Sequence, residues 1–411
     1  MAQAKVNKLH EKLQLKEFKL TSLLEITKAI NENYSIDRIL NIYEYILREQ
    51  LGITKLMLYS QQDEWICLLK YGVRGEARKV DVISDLKHIK EITVIESSSV
   101  SSLNSFDVVI PVYHKDNPLA YLFIGDLNED EIRISPTIKH MPFIQTLTNI
   151  IIVAIENKRL AKVSLEQEVA KKELELASQM QALLFPQNLP SNNRLDVAAK
   201  YETKQMVGGD YYDFFKLNNE EYCLCIADVS GKGVSAALIM SNFQAHLRAH
   251  IKHHQKLTID EMIHQLNADV MNAADGEKFI TFFFAYYNCT EKTLKYCNAG
   301  HNHPILTDGK KSILLDQGCI GLGMLDDIPS INVETLPISP QMTLFCYTDG
   351  LVELENDDDE AFETERLINI IHENYDLSMA DLSETIFEAL DDYKGDRDFM
   401  DDTAILGCRF F

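Results

Sequence analysis

The chain has 411 residues, of which 46% are hydrophobic and 25% charged, a balance that excludes a largely disordered protein. The 40 basic residues against 63 acidic ones give a formal net charge of -23. This balance argues against a nucleic acid as partner, because such a partner requires a basic surface. The chain contains no apolar run of the roughly 18 residues that a membrane span needs, so no membrane contact is predicted. Because the amino terminus lacks an apolar signal core, we expect a cytoplasmic protein.

The amino-terminal part of the sequence predicts an α+β unit. Residues 1–51 carry two apolar stripes at helical spacing, and residues 1–22 are assigned as a separate amino-terminal helix. The chain becomes helical again from Ser135, so the predicted order is helix, sheet, helix. The strand-like runs between these helices are Ile53–Ser60, Trp65–Gly72, Ser105–Tyr113 and Leu119–Asp126.

Two segments of this unit resemble a GAF domain. The run VVIPVYHKDNPLAYLFIGD (Val108–Asp126) is similar to the paired central strands of that family, and IIVAIENKRL (Ile151–Leu160) is similar to its last helix. The resemblance implies a sensor or dimerisation domain over residues 23–158, with a pocket for a small ligand lined by Lys79–Phe106. A module that dimerises without a ligand is the alternative.

Residues 159–190 predict a helical linker. Val169, Leu176, Met180 and Leu183 lie close to a spacing of 3.5 residues, which favours a coiled coil between two copies of the chain. The alternative is a helix that packs against its own domain. Pro186 and Pro190 end the helical pattern.

Residues 191–411 change to a pattern of many strands interrupted by helices. Nine strands and four helices are predicted, which together indicate a β-sandwich flanked by helices, so the whole chain is an α+β multidomain protein. The predicted helices are Val234–His253, Ile259–Ala273, Thr364–Asn374 and Met379–Lys394.

Aspartates occupy the ends of several of these strands. Asp210 precedes one strand, Asp228 and Asp349 end two others, and Asp401 and Asp402 precede the last. If these side chains converge, their like charges repel by about 4 kcal/mol at 4 Å and an effective dielectric of 20. Hard divalent cations remove that repulsion and prefer oxygen ligands, so Mg²⁺ or Mn²⁺ fits better than zinc. Taken singly, an aspartate at the end of a strand is more often a turn or helix-cap residue.

Six motifs in this part of the chain occur in an order typical of one family. Together they resemble the SpoIIE/RsbU group of the PPM (type-2C-like) metal-dependent Ser/Thr phosphatases, over about Leu176–Phe411. The motifs are GGDYYDF (Gly208–Phe214), IADVSGKGVSAALIMS (Ile226–Ser241), YCNAGHNHPIL (Tyr296–Leu306), GLGM (Gly321–Met324), FCYTDGLVE (Phe345–Glu353) and DDTAIL (Asp401–Leu406).

The resemblance assigns metal ligands by position in these motifs. Asp228 matches the aspartate that bridges two Mn²⁺ or Mg²⁺ ions, and the carbonyl of Val229 matches a further ligand. Asp349 and Asp401 match ligands of the first ion, and Asp210 matches the acid on the side of the second ion. The four aspartates are thus the candidate catalytic residues.

Residues around these acids are candidates for contact with phosphate. Gly209 allows a close approach of the backbone, and Ser230 and Lys232 open a helix where amides and an ammonium could meet a phosphoryl oxygen. The glycines of this segment could instead serve only the turn into the helix. Asp402 could replace Asp401 if the register slips by one residue.

Histidines are not assigned to the metal site. His301 lies in a motif that in this family more often braces the site, and we do not assign it as a ligand. The HIKHH cluster (His250–His254) lies on a predicted helix, and we expect it to be solvated.

The resemblance implies a protein phosphatase regulated by its amino-terminal sensor. Such an enzyme hydrolyses phosphoserine or phosphothreonine on a regulatory protein through a metal-activated water, without a covalent enzyme intermediate. Relatives of this kind often act on a STAS-domain anti-anti-sigma factor in a partner-switching pathway. The implied assembly is a homodimer through the GAF-like domain and the linker helix. The alternative function is a non-catalytic dimeric scaffold that senses a ligand and docks a partner on a phosphatase-like domain.

Overall fold

A computed structural model describes residues 2–62, 64–73, 86, 89–95, 106–125, 136–253 and 258–411. Its contacts divide the chain into two compact units, Met1–Glu168 and Val169–Phe411. Most of the segment predicted to line a ligand pocket, residues 79–106, lies outside the described residues. Among the described helices, none combines the length and the apolar character that crossing a bilayer requires.

The first unit is built on a five-stranded antiparallel sheet in the order β2-β1-β5-β4-β3. The four predicted strands are confirmed as β1, β2, β4 and β5, whereas β3 is only two residues long and left no pattern in the sequence. The elements are α1 (Ala2–Asn31), α2 (Ile36–Tyr45), a π-helical turn (Ile46–Gln50), β1 (Lys55–Gln61), β2 (Trp65–Tyr71), β3 (Thr93–Val94), β4 (Val108–His114), β5 (Asn117–Gly125) and α3 (Pro136–Ala182).

The amino-terminal helical region is interrupted at residues 32–35. Asn33 adopts a positive φ of 58°, which breaks the helical path, and the Ser35 side chain then accepts a hydrogen bond from the Arg38 amide to start α2. The interruption explains the two apolar stripes of the sequence.

The sheet of the first unit buries both of its faces because side chains alternate along each strand. On β1, Leu56 and Leu58 pack with residues of α2 and α3, including Tyr43 and Leu147. The neighbouring residue Met57 packs on the opposite face in a separate aromatic-rich cluster. The helices therefore cover one face of this sheet.

The second unit contains two sheets and five helices within its described residues. One sheet runs in the order β13-β10-β9-β8-β7, with β14 pairing β10, and the other in the order β12-β11-β15-β16-β6. The strands are β6 (Leu195–Glu202), β7 (Tyr211–Lys216), β8 (Glu221–Val229), β9 (Ile280–Asn288), β10 (Thr293–Ala299), β11 (Ile305–Thr307), β12 (Ser312–Leu314), β13 (Gly318–Cys319), β14 (Glu334–Pro337), β15 (Thr343–Tyr347) and β16 (Thr403–Phe410). The helices are α4 (Val234–His253), α5 (Ile259–Ala274), α6 (Asp349–Val352), α7 (Glu363–Glu373) and α8 (Met379–Lys394).

The two sheets form the predicted sandwich. On β15, Leu344 and Cys346 join a core shared with β8 and β9, which belong to the other sheet. The alternate residues Phe345 and Tyr347 pack with α7 and α8 on the outer face. Residues of α4 and α5 belong to the shared core as well. The four predicted helices are confirmed to within one residue at each end, and only the single turn α6 was not predicted.

Candidate metal centre

The predicted acidic residues lie at the ends of paired antiparallel strands. Asp210 directly precedes β7, and Asp228 lies near the end of β8, whose Ala227 is opposite Tyr211. Antiparallel pairing therefore brings these two carboxylates to the same edge of one sheet. In the other sheet β15 and β16 are also antiparallel neighbours. Asp349, which follows β15, and Asp401, which precedes β16, therefore lie at the same edge of that sheet.

Asp210 is the most deeply buried of these acids, with 1% of its surface exposed. The hydroxyl of Thr348 donates a hydrogen bond of 2.6 Å to its Oδ2 atom and accepts one of 2.8 Å from the Ala404 amide. Burial and the nearby Asp228 charge raise the pKa of Asp210 well above its ordinary value. Thr348 thus links the acid of one sheet to the strand ends of the other.

The pKa of Asp228 is also raised. Burial, followed by the charge of Asp349, raises its pKa from 3.8 to about 7, while a hydrogen bond with Asp210 acts in the opposite direction. Asp401 also contributes to the rise. Asp349 and Asp401 are thus close enough to Asp228 for their charges to disfavour its ionised form.

The carboxylate oxygens do not lie close enough together to surround a single ion. Within the described part of the chain, no three of the carboxylates bring oxygen atoms within 4.8 Å of one another. The donor set is nevertheless entirely oxygen, which is the chemistry that Mg²⁺ and Mn²⁺ prefer.

Asp401 and Asp402 have different environments. Both carboxylate oxygens of Asp402 accept backbone hydrogen bonds, from the Lys204 amide at 2.9 Å and from the Gly209 amide at 2.8 Å. Asp401 instead forms an ion pair with Lys232 near the other acids. Asp402 therefore holds the backbone of the loop before β7, whereas the Asp401 oxygens contact the Lys232 ammonium and the amide of Asp402.

The loop that carries Gly208 and Gly209 is fixed from two sides. The Gln181 side chain donates to the Gly208 carbonyl at 2.6 Å and accepts from the Gly208 amide at 3.1 Å. Asp402 binds the neighbouring Gly209 amide. A Cβ atom on Gly208 would lie 2.0 Å from the Tyr201 hydroxyl and 2.5 Å from an Asp402 carboxylate oxygen, so a larger residue there would displace both side chains. The loop is thus held tightly next to Asp210.

The predicted phosphate-binding segment follows β8. The Ser230 amide donates to the Phe279 carbonyl at 2.9 Å, and the Ser230 hydroxyl accepts from the Phe279 amide at 3.0 Å, so both groups are engaged within the fold. Gly231 and Gly233 have φ values of 91° and 72°, which fits the tight turn into α4. Lys232 remains 41% exposed beside Asp401. Val229 pairs with Ile280, and its carbonyl faces Gly209, where an added Cβ would lie 3.1 Å away.

His301 is a buried neutral imidazole. Its Nδ1 atom shares a hydrogen bond of 2.9 Å with the hydroxyl of Thr281, which lies opposite Asp228 in the sheet. Burial lowers the pKa of His301 to about 3. This contact supports the strand beside Asp228, in agreement with the bracing role expected from the sequence.

Two residues that contact the site were not singled out in the sequence. Thr348 precedes Asp349 inside the motif FCYTDGLVE. A threonine at the end of a buried strand, next to a candidate ligand, could have been predicted to contact the acids. Gln181 lies on a helix of alternating polar and apolar residues, where nothing distinguishes it from its neighbours.

The raised pKa values predict how pH affects the protein without divalent cations. A carboxyl group with a raised pKa in the folded state contributes stability below its unfolded pKa and loses it as pH rises through the folded value. We expect the free energy of unfolding to fall between about pH 4 and about pH 7. Asp228→Asn should be more stable than the unchanged protein by about 2 kcal/mol at pH 8 and not at pH 4.

Urea denaturation of both proteins in EDTA, at a series of pH values, measures this difference. Adding Mn²⁺ at pH 8 should stabilise the unchanged protein and leave Asp228→Asn nearly unaffected. A stability difference between the two that does not vary with pH would contradict the assigned pKa of Asp228.

The second unit is similar in sequence to known proteins. Residues 218–411 match the family described as Stage II sporulation protein E (SpoIIE). Protein IcfG of Synechocystis sp. (strain ATCC 27184 / PCC 6803 / Kazusa) is 27% identical over 245 residues, which cover 53% of this chain and 38% of IcfG. Phosphoserine phosphatase RsbU of Bacillus subtilis (strain 168) is 28% identical over 228 residues, covering 55% of this chain and 66% of RsbU. The chain thus spans less than two thirds of either relative.

A solved structure shares the fold of this unit. The SiaA-PP2C domain of Pseudomonas aeruginosa superimposes with a TM-score of 0.54 at 18% identity, covering 60% of this chain and 99% of that domain. The carboxyl-terminal unit therefore has the fold of that PP2C domain, and its residues 218–411 are similar to the SpoIIE family.

Proposed function

We propose that this protein is a metal-dependent protein serine/threonine phosphatase. The observation that carries the proposal is the group of four aspartates at the shared end of the two sheets; in three of them, Asp210, Asp228 and Asp349, burial and neighbouring negative charges raise the pKa. The match of residues 218–411 to the SpoIIE family and the similarity to phosphoserine phosphatase RsbU support it. The substrate is a phosphoserine or phosphothreonine residue of a regulatory protein.

The residues present fit two Mn²⁺ or Mg²⁺ ions. Asp210, Asp228, Asp349 and Asp401 would hold them together with the Val229 carbonyl, and Asp402 would instead position the loop through the Lys204 and Gly209 amides. When bound, such ions stabilise negative charge on the phosphoryl group and activate the attacking water. The raised pKa of Asp228 supports this assignment, since a carboxylate costly to ionise alone is stabilised by a cation.

Side chains of this protein supply the rest of the site. Lys232 is the exposed cation beside the acids, and its ammonium can turn from Asp401 to a phosphoryl oxygen of the substrate. Gly209 and Ser230 contribute shape, because the Gly209 amide is bound to Asp402 and the Ser230 amide to Phe279. Thr348 fixes the orientation of the Asp210 carboxylate.

The amino-terminal unit is proposed as a GAF-like sensor that regulates this activity. Its sheet has one helix-covered face and one aromatic-rich face, where Phe106, Tyr121 and Phe123 are buried. The proposed substrate is a phosphorylated STAS-domain protein of a partner-switching pathway, an assignment based on the resemblance to the RsbU group. The same resemblance supports a homodimer.

Loss of one central acid tests the phosphatase directly. With Mn²⁺ and a phosphoserine peptide, Asp228→Asn should lower phosphate release by about 1000-fold, because it removes a shared cation ligand. Asp327→Asn, a change at an exposed aspartate of the same unit, is the matched control and should retain full activity. The proposal fails if Asp228→Asn turns over normally, or if the unchanged protein works in excess EDTA.

The Gln181 contact predicts a second effect. Gln181→Leu removes both hydrogen bonds to Gly208, so the loop before Asp210 loosens and the Mn²⁺ concentration for half-maximal activity should rise about tenfold. Gln187→Leu, at a glutamine that binds only the backbone of its own turn, should leave that concentration unchanged. A lower melting temperature with an unaltered Mn²⁺ requirement would show that Gln181 acts on stability alone.

The apolar residues of the linker predict a dimer. Val169, Leu176, Met180 and Leu183 are 50–64% exposed, so a second copy is needed to bury them. Leu176→Asp combined with Met180→Asp should convert a dimer to a monomer in sedimentation-velocity experiments, whereas Lys171→Asp on an exposed position of the same helix should not. A monomeric unchanged protein at about 10 μM would contradict this prediction.

A further inference from the structure

A second group of metal-ligand side chains lies on the helix pair α4 and α5. His246 and His250 lie one turn apart on α4, and Asp269 lies on α5. Their ligand atoms, one from each residue, all lie within 4.8 Å of one another. Among the described residues, these three are the one set of His, Cys, Asp or Glu side chains whose ligand atoms lie this close together.

Both imidazoles converge on one oxygen. The distance from His250 Nε2 to Asp269 Oδ2 is 2.7 Å, and that from His246 Nδ1 to the same Oδ2 is 3.2 Å. Two histidines four residues apart share one face of a helix, which is why both rings reach the same point. The expectation that His250 is solvated is wrong, because only 18% of its side chain is exposed.

The helices that carry these residues are fixed in place. Leu247 and Ile251 of α4 and Leu266 and Val270 of α5 belong to the buried core of the unit. Thr258 and Glu261 form a capping box that fixes the start of α5. The three ligands are therefore preorganised by packing rather than by a flexible loop.

We propose that His246, His250 and Asp269 bind a divalent ion of the zinc class. Two imidazole nitrogens and one carboxylate oxygen suit Zn²⁺, Co²⁺ or Ni²⁺, whereas Mg²⁺ prefers oxygen ligands alone. In a tetrahedral zinc site with bonds near 2.0–2.1 Å, two ligand atoms are separated by about 3.3 Å. The separation of 3.2 Å between His246 Nδ1 and Asp269 Oδ2 is close to that value, and the 2.7 Å separation from His250 Nε2 has to lengthen by about 0.6 Å, which side-chain rotation can supply.

The site has room for a fourth ligand. The side chain of His246 is 43% exposed and that of Asp269 24%, so a water molecule can reach the ion. This group shares no residue with the acidic group at the strand ends, and its nitrogen donors select a different kind of metal. Its existence is therefore independent of the proposed phosphatase activity.

The competing explanation is a hydrogen-bonded clamp in which both histidines bind Asp269 without a metal. The two explanations differ in what the protein takes up. A clamp needs no ion, whereas the proposed site binds one equivalent of Zn²⁺ that links α4 to α5 and raises the melting temperature.

Zinc titration of the metal-stripped full chain in millimolar Mg²⁺ tests the proposal, because Mg²⁺ competes for carboxylate oxygens and not for imidazole nitrogens. We expect His250→Ala and His246→Gln each to weaken binding of one Zn²⁺ by about tenfold or more, and His264→Ala to leave it unchanged. His264 is an exposed histidine of α5 outside the group and is the matched control. Co²⁺ substitution should give the visible absorption bands of a tetrahedral ion with nitrogen ligands.

The outcome that overturns the proposal is equal Zn²⁺ affinity in the unchanged protein, His246→Gln and His250→Ala. His246→Gln guards against a folding defect, because this residue is the most exposed of the three and its replacement should leave the circular dichroism spectrum intact. Tetrahedral Co²⁺ bands that persist in His250→Ala would equally exclude these ligands.

Discussion

Repulsion between buried carboxylates is the constraint on which the carboxyl-terminal unit depends. Asp210 and Asp228 lie together at one end of the sandwich, where burial raises the pKa of both carboxyl groups; the charge of Asp228 raises the pKa of Asp210 further, and that of Asp349 raises the pKa of Asp228. A fold whose only task was stability would place apolar or uncharged groups there. The unit instead retains the acids and balances them with a threonine hydroxyl, a lysine and backbone amides, which leaves a residual charge that a cation can satisfy.

The architecture explains why these acids meet although they are far apart in the sequence. Each sheet contributes one antiparallel pair, and the ends of the two pairs lie together because Leu344 and Cys346 of β15 pack in the core that β8 lines. The hydroxyl of Thr348 bridges the two edges. The site is thus a consequence of sandwich packing, and a residue such as Gly208 is required by the closeness of Tyr201 and Asp402 rather than by the chemistry itself.

The sequence was sufficient to predict the strands, the helices and the acids, and insufficient to predict their supporting contacts. Strand alternation and helical spacing are local patterns, so α4 was predicted with its observed bounds and only short strands such as β3 and β13 were missed. The separate roles of Asp401 and Asp402 became clear only from hydrogen bonds to amides about 190 residues away. His250 was misjudged for the same reason, because its partner Asp269 lies on another helix.

The two hydrogen bonds between Gln181 and Gly208 connect the end of α3 to the loop that precedes Asp210. The side-chain amide of Gln181 pairs with both the carbonyl and the amide of Gly208, so the last helical turn and the glycine loop are held in one relative position. A shift of that turn would leave two buried backbone groups without partners and release the peptide that precedes Asp210. The final turn of this helix and the alignment of the carboxylates are therefore locked in register, and neither can drift alone.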